Sequence, residues 1–472
     1  MRKKVVVLCT LCVLIMLSLA FVFSGCSLKV GTPKYITENY ENLAENASFV
    51  HNSVSQGGDA TLKMNGNKTF NTIALSEKSN VVSSFEIYIN NDMIYKSDRI
   101  GNFRYCALSK TYTADQINIK VTGCDEENWE LYTPQVYLID NTSKQDFEVM
   151  SYIYTAKALQ LKEEDKKIIG TTTQFNIFSS LYLLADGSIY FKPHILADGR
   201  ELDGKEAFRQ AIAKIREFNP RASIVATVLG SEDFVNDGLD QEKRHNTAMT
   251  KHKDKLIENV VQIIKDYSLD GIAFDYEYPH NLITNNNYAS FLKKLKLAMP
   301  EGKQLNCAFS LWNLTVFGTF PHSKLKYVDN IELMTYDGFD EYGDHSSFYS
   351  MCAEALAKLE KSGVDLAKVN LGLPFYSRPI DMAGYWGNYY DVAEKLGIYG
   401  NKLVQTIEAD GKIYEQLCYY NSRQLIYDKT AYALDKGIGG VMIWHYGCDT
   451  KDEALSLYGA IAQAISDRSK GK

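Results

Sequence analysis

The chain has 472 residues, too many for one ordinary domain and enough for a large barrel with a smaller module. Its formal net charge is −7 and no basic stripe appears outside the termini, so nucleic acid is excluded as the expected partner. Hydrophobic residues make up 45% of the chain, which is ordinary for a globular protein with a packed core.

The chain begins with the pattern of an export signal. Arg2, Lys3 and Lys4 precede an apolar run over residues 5–23, which predicts a signal peptide over residues 1–25. The tetrapeptide FSGC at residues 23–26 resembles a bacterial lipobox, which implies that Cys26 is lipidated and becomes the first mature residue. An uncleaved anchor is the alternative, because about 19 apolar residues can just span a bilayer. Either interpretation predicts an extracytoplasmic protein tethered to the membrane at the cell surface.

Short β patterns follow the export signal. Residues 26–45 are polar and are predicted to form a linker, whereas residues 46–142 show short β runs separated by turn residues, which favours a β-sandwich. The runs at residues 57–62 and 67–72 resemble the discoidin-type, galactose-binding-like modules, which implies either carbohydrate binding or a packing role. Cys106 and Cys124 fall in this region, and the sequence leaves open whether they pair.

Strand and helix patterns alternate over residues 145–468. This alternation predicts a parallel sheet closed into a (β/α)8 barrel, so the fold class is α/β with a smaller N-terminal β domain. The expected barrel strands are residues 147–154, 174–180, 222–229, 272–276, 305–310, 330–335, 370–374 and 440–444. The expected helices include residues 205–218, 254–265, 289–298 and 351–362.

Residues 269–279 read LDGIAFDYEYP and place two acids at the end of the fourth strand. Because side chains alternate along a strand, Ala273, Asp275 and Glu277 share one face, with the two carboxyl groups about 7 Å apart. Acids at the C-terminal end of a barrel strand lie at the barrel mouth, where such folds carry out chemistry. Like charges held this close raise the pKa of one member, as a general acid near neutral pH requires. Two solvated acids at a strand end are the alternative.

The segment resembles the catalytic signature DGxDxDxE of glycoside hydrolase family 18, the chitinases and related endo-β-N-acetylglucosaminidases. Asp270, Gly271, Asp275 and Glu277 match this signature, whereas Ala273 stands where the family usually has its middle aspartate. Three more segments resemble family motifs in the family's order: MTYD at residues 334–337, LGLPFY at residues 371–376 and GGVMIW at residues 439–444. The resemblance covers roughly residues 145–465.

The resemblance implies roles for individual residues. Glu277 is expected to be the general acid and then the base, Asp275 to orient the substrate's acetamido group, and Tyr336 to hydrogen-bond the acetamido carbonyl. The residues expected to bind the sugar are Met334, Asp337, Tyr376 and Trp444, the last as the floor of the site. Asp270 and Gly271 complete the signature, and no cofactor or metal ion is expected.

The resemblance implies substrate-assisted, retaining hydrolysis of β-1,4 bonds next to N-acetylglucosamine in chitin-like polymers. This agrees with the sequence, in which no second acidic motif offers a nucleophile across the sugar. The segment between strands seven and eight is short for the insertion of some chitinases, so an open, endo-acting groove is expected. Two alternatives remain: the same chemistry on peptidoglycan or an N-glycan core, and sugar binding without turnover, which the alanine at position 273 favours. The expected partner is a polysaccharide containing N-acetylglucosamine, and a monomer is expected.

Overall fold

The computed structural model describes residues 30–54, 57–140, 146–196, 198–230, 239–277, 279, 281–315, 318–382 and 384–469. The predicted signal peptide, Cys26 and Tyr278 lie outside the described residues. Within these ranges, no helix combines the length and the apolar character needed to cross a membrane.

The N-terminal region forms one antiparallel sheet, which has six strands among the described residues and the order β1-β2-β5-β3-β4, with β6 paired to β2. The strands are β1 Ser48–Val54, β2 Gly57–Leu75, β3 Val82–Ile89, β4 Asp92–Ser97, β5 Arg104–Cys124 and β6 Gln135–Tyr137. The pairing of the two long strands shifts between Lys63 and Lys68 and again between Phe70 and Thr72. Such irregularities bend a long strand. One sheet therefore stands where two stacked sheets were predicted, and the β-sandwich prediction is not confirmed.

A separate hydrophobic core supports the N-terminal sheet. Phe70, Ile87 and Ile119 are fully buried in it. Cys106 belongs to the same core and Cys124 packs against its edge. Both cysteines are free thiols, so the pairing that the sequence left open is not formed.

The described part of the predicted linker packs against this sheet. It contains helix α1 (Lys34–Asn39), whose Ile36 is fully buried. The Leu43 amide donates to the Val136 carbonyl at 2.8 Å, and the Asn42 side chain accepts from the Val136 amide at 3.0 Å. Because these bonds pair backbone groups of β6, the segment from residue 30 to 45 is part of the folded region rather than a free tether.

The rest of the described chain contains the barrel and its connections. Its strands are β7 Glu148–Tyr154, β8 Gln174–Leu183, β9 Ile189–Phe191, β10 His194–Ile195, β11 Glu201–Leu202, β12 Ser223–Leu229, β13 Gly271–Phe274, β14 Gln304–Ser310, β15 Asn330–Met334, β16 Val369–Pro374, β17 Tyr376–Ser377, β18 Gly387–Asn388, β19 Lys402–Ala409, β20 Lys412–Tyr419 and β21 Gly440–Trp444. Strands β7, β8, β12, β13, β14, β15, β16 and β21 pair in parallel in this order, and β21 pairs with β7. Over the described residues this closes the predicted eight-stranded parallel barrel.

The barrel helices follow apolar stripes in the sequence. They are α2 Thr155–Leu159, α3 Lys166–Ile169, α4 Gly204–Phe218, α5 Gln241–Thr250, α6 Lys253–Asp266, α7 Leu282–Ala298, α8 Leu311–Leu314, α9 Glu354–Lys361, α10 Ala393–Leu396, α11 Arg423–Lys436 and α12 Leu457–Ser469. Helix α4 shows the pattern: Phe208, Ile212 and Ile215 recur at helical spacing and are buried. The Asp203 carboxylate accepts from the first backbone amides of α4, which satisfies donors that the helix itself leaves free.

The connection between β16 and β21 contains an antiparallel hairpin, β19–β20, that the sequence analysis did not predict. The hairpin pairs Val404 with Leu417 and Glu408 with Ile413 in register. Val404, Leu417 and Ile413 are 60%, 57% and 75% exposed, so one face of the hairpin is open to solvent. When a face is open to solvent, the sequence shows little of the alternation between apolar and polar residues by which a strand is predicted.

The N-terminal sheet and the barrel share a buried polar interface along helix α11. Asp428 accepts from the Tyr95 hydroxyl at 2.6 Å and lies 3.0 Å from a guanidinium nitrogen of Arg104. Two turns further on, Asp435 accepts from the Tyr105 hydroxyl at 2.6 Å. All of these groups are buried, and the charges of Arg104 and Asp428 are paired across the interface. Because loss of one partner would leave the other charge buried and unpaired, the contacts favour one relative orientation of the two regions.

Candidate active site

Asp270 and Gly271 lie at the start of β13, away from the barrel mouth. The Asp270 carboxylate accepts from the Ile224 amide at 2.9 Å and so joins β13 to β12. A Cβ at Gly271 would lie 2.5 Å from the Gln304 carbonyl oxygen of β14. Only glycine therefore fits this close approach of neighbouring strands. These two signature residues hold the strand that carries the acids.

Strand β13 ends at Phe274, two residues before the predicted end, so Asp275 and Glu277 lie just beyond the strand. The predicted alternation nevertheless continues. Tyr276 points away from the barrel interior and stacks on His245 of α5 with ring centroids 4.2 Å apart. Asp275 is buried and Glu277 is exposed. The stacked Tyr276 thus fixes the backbone between the two acids.

Asp275 and Glu277 form an interacting carboxyl pair. Asp275 is 9% exposed, and its Oδ1 atom has no hydrogen-bond partner within the described ranges. Burial raises the pKa of Asp275 well above its usual value, and the charges of Glu277 and Glu332 add to this effect. Partial burial and the charge of Asp337 also raise the pKa of Glu277. The pair is therefore suited to hold a proton near neutral pH, as general acid catalysis requires.

Asp337 follows β15 and has a backbone φ of 58°, which is uncommon for a residue other than glycine. The Tyr376 hydroxyl donates to Asp337 Oδ1 at 2.5 Å, and Arg378 Nε lies 3.3 Å from the same oxygen. His345 Nε2 lies 3.4 Å from it, within reach to donate a hydrogen bond. Burial raises the pKa of Asp337, but the hydrogen bonds from His345 and Tyr376 and the Arg378 charge outweigh it and lower the pKa below its usual value. Asp337 is therefore held as a carboxylate.

Trp444 ends β21 and forms an aromatic floor at the barrel mouth. Its ring centroid lies 5.1 Å from that of Tyr152, 4.9 Å from that of Phe178 and 6.4 Å from that of Tyr336. Trp444 is only half-buried, so part of its ring is open to a ligand. Across the described chain, the one hydrogen-bond contact of the Tyr336 hydroxyl is Met442 Sδ at 3.8 Å, a weak acceptor. The hydroxyl can therefore donate to a bound molecule.

The structure places the other two expected sugar-binding residues differently. Tyr376 is 1% exposed and stacks on Trp386 with ring centroids 3.8 Å apart, so its hydroxyl orients Asp337 instead of opening into the groove. Met334 is half-buried at the end of β15, directly before the loop that carries Asp337. Tyr376 thus supports the site by orienting Asp337 from a buried position, and Met334 lies at the edge of the site.

Residues 127–449 match the profile of glycosyl hydrolases family 18. The match spans more than half of the chain and includes every acid described above. The chain belongs to glycosyl hydrolase family 18.

The chain is also similar to individual curated proteins. The chain is 29% identical over 202 residues to the killer toxin subunits alpha/beta of Kluyveromyces lactis, covering 36% of this chain and 17% of that protein. It is 25% identical over 260 residues to endochitinase 1 of Metarhizium anisopliae, covering 47% of this chain and 60% of that protein. The chain thus spans less than two thirds of the length of either curated relative.

A solved structure shares the fold. The family 18 chitinase ChiB from the chitin utilization locus of Flavobacterium johnsoniae is 21% identical, with a TM-score of 0.53. The similarity covers 69% of this chain and 95% of that chain. At this identity, the comparison supports the barrel architecture.

Several groups near the family 18 signature were missed by sequence reasoning. They are Tyr152, Glu332, His345, Arg378 and Trp386. Two of them left a signal in the sequence: Arg378 lies just beyond the LGLPFY motif, after Ser377, and Glu332 is a charged residue between the apolar Ile331 and Leu333. The other three lie in segments that only the closed barrel brings next to the acids.

Proposed function

We propose that the protein hydrolyses β-1,4 bonds next to N-acetylglucosamine in chitin-like chains, as an endo-acting glycosidase. The observation that carries this proposal is the Asp275–Glu277 pair at the barrel mouth, with both pKa values raised and one Asp275 oxygen that has no hydrogen-bond partner among the described residues. A carboxyl that keeps its proton can protonate a leaving glycosidic oxygen. A buried acceptor without a partner suits a substrate N–H group.

The acid step belongs to Glu277. It is the exposed member of the pair, so it can reach the oxygen of a bound glycosidic bond. Its proton passes to that oxygen as the bond to the anomeric carbon breaks. The resulting carboxylate then takes a proton from water in the second step, so Glu277 ends the cycle protonated again.

The nucleophile is assigned to the substrate itself. Asp337, the acid whose charge acts on Glu277, is engaged by Tyr376, Arg378 and His345, which suits it to orient a sugar hydroxyl instead of attacking carbon. The carbonyl oxygen of the substrate's 2-acetamido group attacks the anomeric carbon and forms an oxazolinium ion. Water then opens this ring from the opposite face, so the β configuration is retained.

The remaining groups hold the acetamido group for that attack. The free Asp275 oxygen accepts from its N–H, and the Tyr336 hydroxyl donates to its carbonyl oxygen. The open part of the Trp444 ring lies beneath the sugar. This arrangement makes an N-acetylated sugar at the cleaved position a chemical requirement.

A digest of defined glycans tests the proposal. We expect N-acetylchitooligosaccharides to be cut at internal bonds and to give products whose newly formed reducing ends are first released as β anomers, measured by mass spectrometry and proton NMR. Peptidoglycan and an N-glycan core serve as competing substrates, and preferential cleavage of either would reassign the polymer while keeping the chemistry. Binding of all these glycans without any product would show a sugar-binding protein instead.

We also propose that the protein is a lipoprotein tethered by Cys26, as the FSGC tetrapeptide suggests. Cys26→Ser should abolish incorporation of an alkyne-labelled fatty acid and move the protein from the membrane fraction to the medium. The matched control is Cys124→Ser, because Cys124 is a free thiol on the folded region and should not affect labelling. Membrane retention of unlabelled Cys26→Ser protein would favour an uncleaved anchor.

For the N-terminal region, we propose a packing role. The buried pairs of Arg104 with Asp428 and of Tyr105 with Asp435 support this role, because they tie the sheet to the barrel. The resemblance to galactose-binding-like modules keeps carbohydrate binding as a second proposal. The test measures the affinity of the whole chain for immobilised chitin with and without a soluble active-site inhibitor. Binding that persists when the inhibitor occupies the active site would reveal a second binding surface.

A further inference from the structure

Glu332 is a fully buried carboxyl group inside the barrel that the proposed reaction does not use. It lies on β15 and accepts three hydrogen bonds, from the Tyr152 hydroxyl, from Asn176 Nδ2 at 2.5 Å and from Asn306 Nδ2 at 3.1 Å. Amide nitrogens can only donate, so two of the three partners require an acceptor. Burial raises the pKa of Glu332 above its usual value, while the hydrogen bonds from Tyr152, Asn176 and Asn306 act in the opposite direction and favour its ionised form.

The position of Glu332 is related to that of Ala273. Ala273 pairs in register with Asn306 on the neighbouring strand β14, and its side chain is fully buried. The Asn306 amide is one of the donors to Glu332. The Glu332 carboxyl thus reaches the layer of the barrel interior into which an aspartate at position 273 would project its own carboxyl.

Glu332 also acts on the catalytic pair through its charge. After burial and Glu277, it is the third cause that raises the pKa of Asp275, whereas the neighbouring barrel carboxyl Glu148 is not among those causes. The other titratable or charged groups that interact with Asp275, Glu277 or Glu332 are Glu148, Tyr152, Tyr154, Tyr288, Cys307, Tyr336, Asp337 and Arg378. Only Arg378 among them carries a positive charge, and it is paired with Asp337.

We propose that the Glu332 carboxylate is a positioning residue that holds a proton on the Asp275–Glu277 pair, in place of the aspartate that this chain lacks at position 273. A negative charge close to the pair disfavours its full ionisation, so the pair keeps one proton to higher pH. The negative charge is carried by a residue of β15 instead of a residue of β13. This inference deepens the proposed function and rests on it.

The test is the pH dependence of kcat/KM on an N-acetylchitooligosaccharide. Glu332→Gln removes the charge but keeps the shape, and its amide oxygen can still accept from Asn176 and Asn306. The alkaline limb, which reports loss of the acid's proton, should move to lower pH by about one unit, the scale of coupling between interacting carboxyls. An alkaline limb at the wild-type position would overturn the proposal.

A rescue separates this role from a purely structural one. Ala273→Asp in the Glu332→Gln background restores a carboxyl beside Asp275 and should return the alkaline limb toward the wild-type pH. The matched control is Glu148→Gln, which removes another carboxyl of the barrel interior and should leave the limb in place. A double variant that stays at the pH of Glu332→Gln, or a Glu148→Gln shift of equal size, would contradict the assignment. If Glu332→Gln alone does not fold, the double variant is compared directly with the wild type. An alkaline limb at the wild-type pH then supports the assignment, and a limb at lower pH contradicts it.

Infrared titration makes the result independent of turnover. The band of the protonated Asp275 carboxyl is assigned by its loss in Asp275→Asn, and its midpoint should fall in Glu332→Gln. If the wild type cleaves no acetylated glycan, the proposed function fails, and this midpoint still decides whether Glu332 holds the proton. An unchanged midpoint in an active enzyme would refute only the role of Glu332.

Discussion

Glu277→Gln should lower kcat on N-acetylchitooligosaccharides by about 10²–10⁴-fold, because the amide has the shape of the acid but cannot donate its proton. Glu277 is exposed at the barrel mouth and is not part of the hydrophobic core, so the fold should not depend on its charge. Affinity for the oligosaccharide should change little. Steady-state kinetics, calorimetric binding and thermal unfolding of the same preparation measure the three quantities.

The matched control for this substitution is Glu258→Gln. Glu258 is an exposed residue on α6, so the same change of charge and shape occurs away from the site. The control should retain wild-type kinetics. A Glu277→Gln enzyme with most of its activity would remove Glu277 from the mechanism, and an unfolded one would show that its carboxyl has a structural role.

Fully deacetylated glucosamine oligomers should bind the groove but resist cleavage, which is the second large effect. They keep the sugar rings that Trp444 can contact, but they lack the acetamido oxygen that attacks the anomeric carbon. The same reasoning makes a thiazoline analogue of the cyclised intermediate a tight inhibitor, since the site is complementary to that state. Initial rates on acetylated and deacetylated oligomers of equal length measure the difference.

A partially acetylated chain sharpens this test. The sugar whose anomeric carbon is attacked becomes the new reducing end, so every newly formed reducing end should be N-acetylated. End-labelling followed by mass spectrometry reads this directly, and the other product end serves as the internal control because its acetylation is not constrained by the attack. Equal rates on the two oligomers, or glucosamine at the new reducing ends, would rule out substrate assistance.

The barrel strands were predictable because each is a short buried run with its own local signature. The eighth was expected over residues 440–444 and lies at Gly440–Trp444, and the others agree within a few residues. The two faces of the segment after Phe274 were also predictable, since alternation is a property of the extended backbone. Thus the positions of Asp275 and Glu277 on one face followed from the sequence, even though the strand itself ends earlier.

The bent N-terminal sheet was not predictable in the same way. Its short β runs were recognised, but β2 and β5 each continue through irregular positions where the pairing shifts. Such a bulge depends on the partner strand and on the helices that pack behind it, and neither is encoded in the local pattern. Two layers were therefore inferred where the chain forms one sheet.

By itself, the sequence determined which residues could carry the chemistry: the acids after β13, the Tyr336–Asp337 pair after β15 and Trp444 at the end of β21. Only the tertiary structure decided how these groups are charged. Tyr376 and Arg378 from one segment and His345 from another converge on Asp337, and the charge of Glu332 acts on Asp275 from another strand. The pKa of a carboxyl depends on the burial and the charges around it, and closing the barrel brings together charges that are distant along the chain.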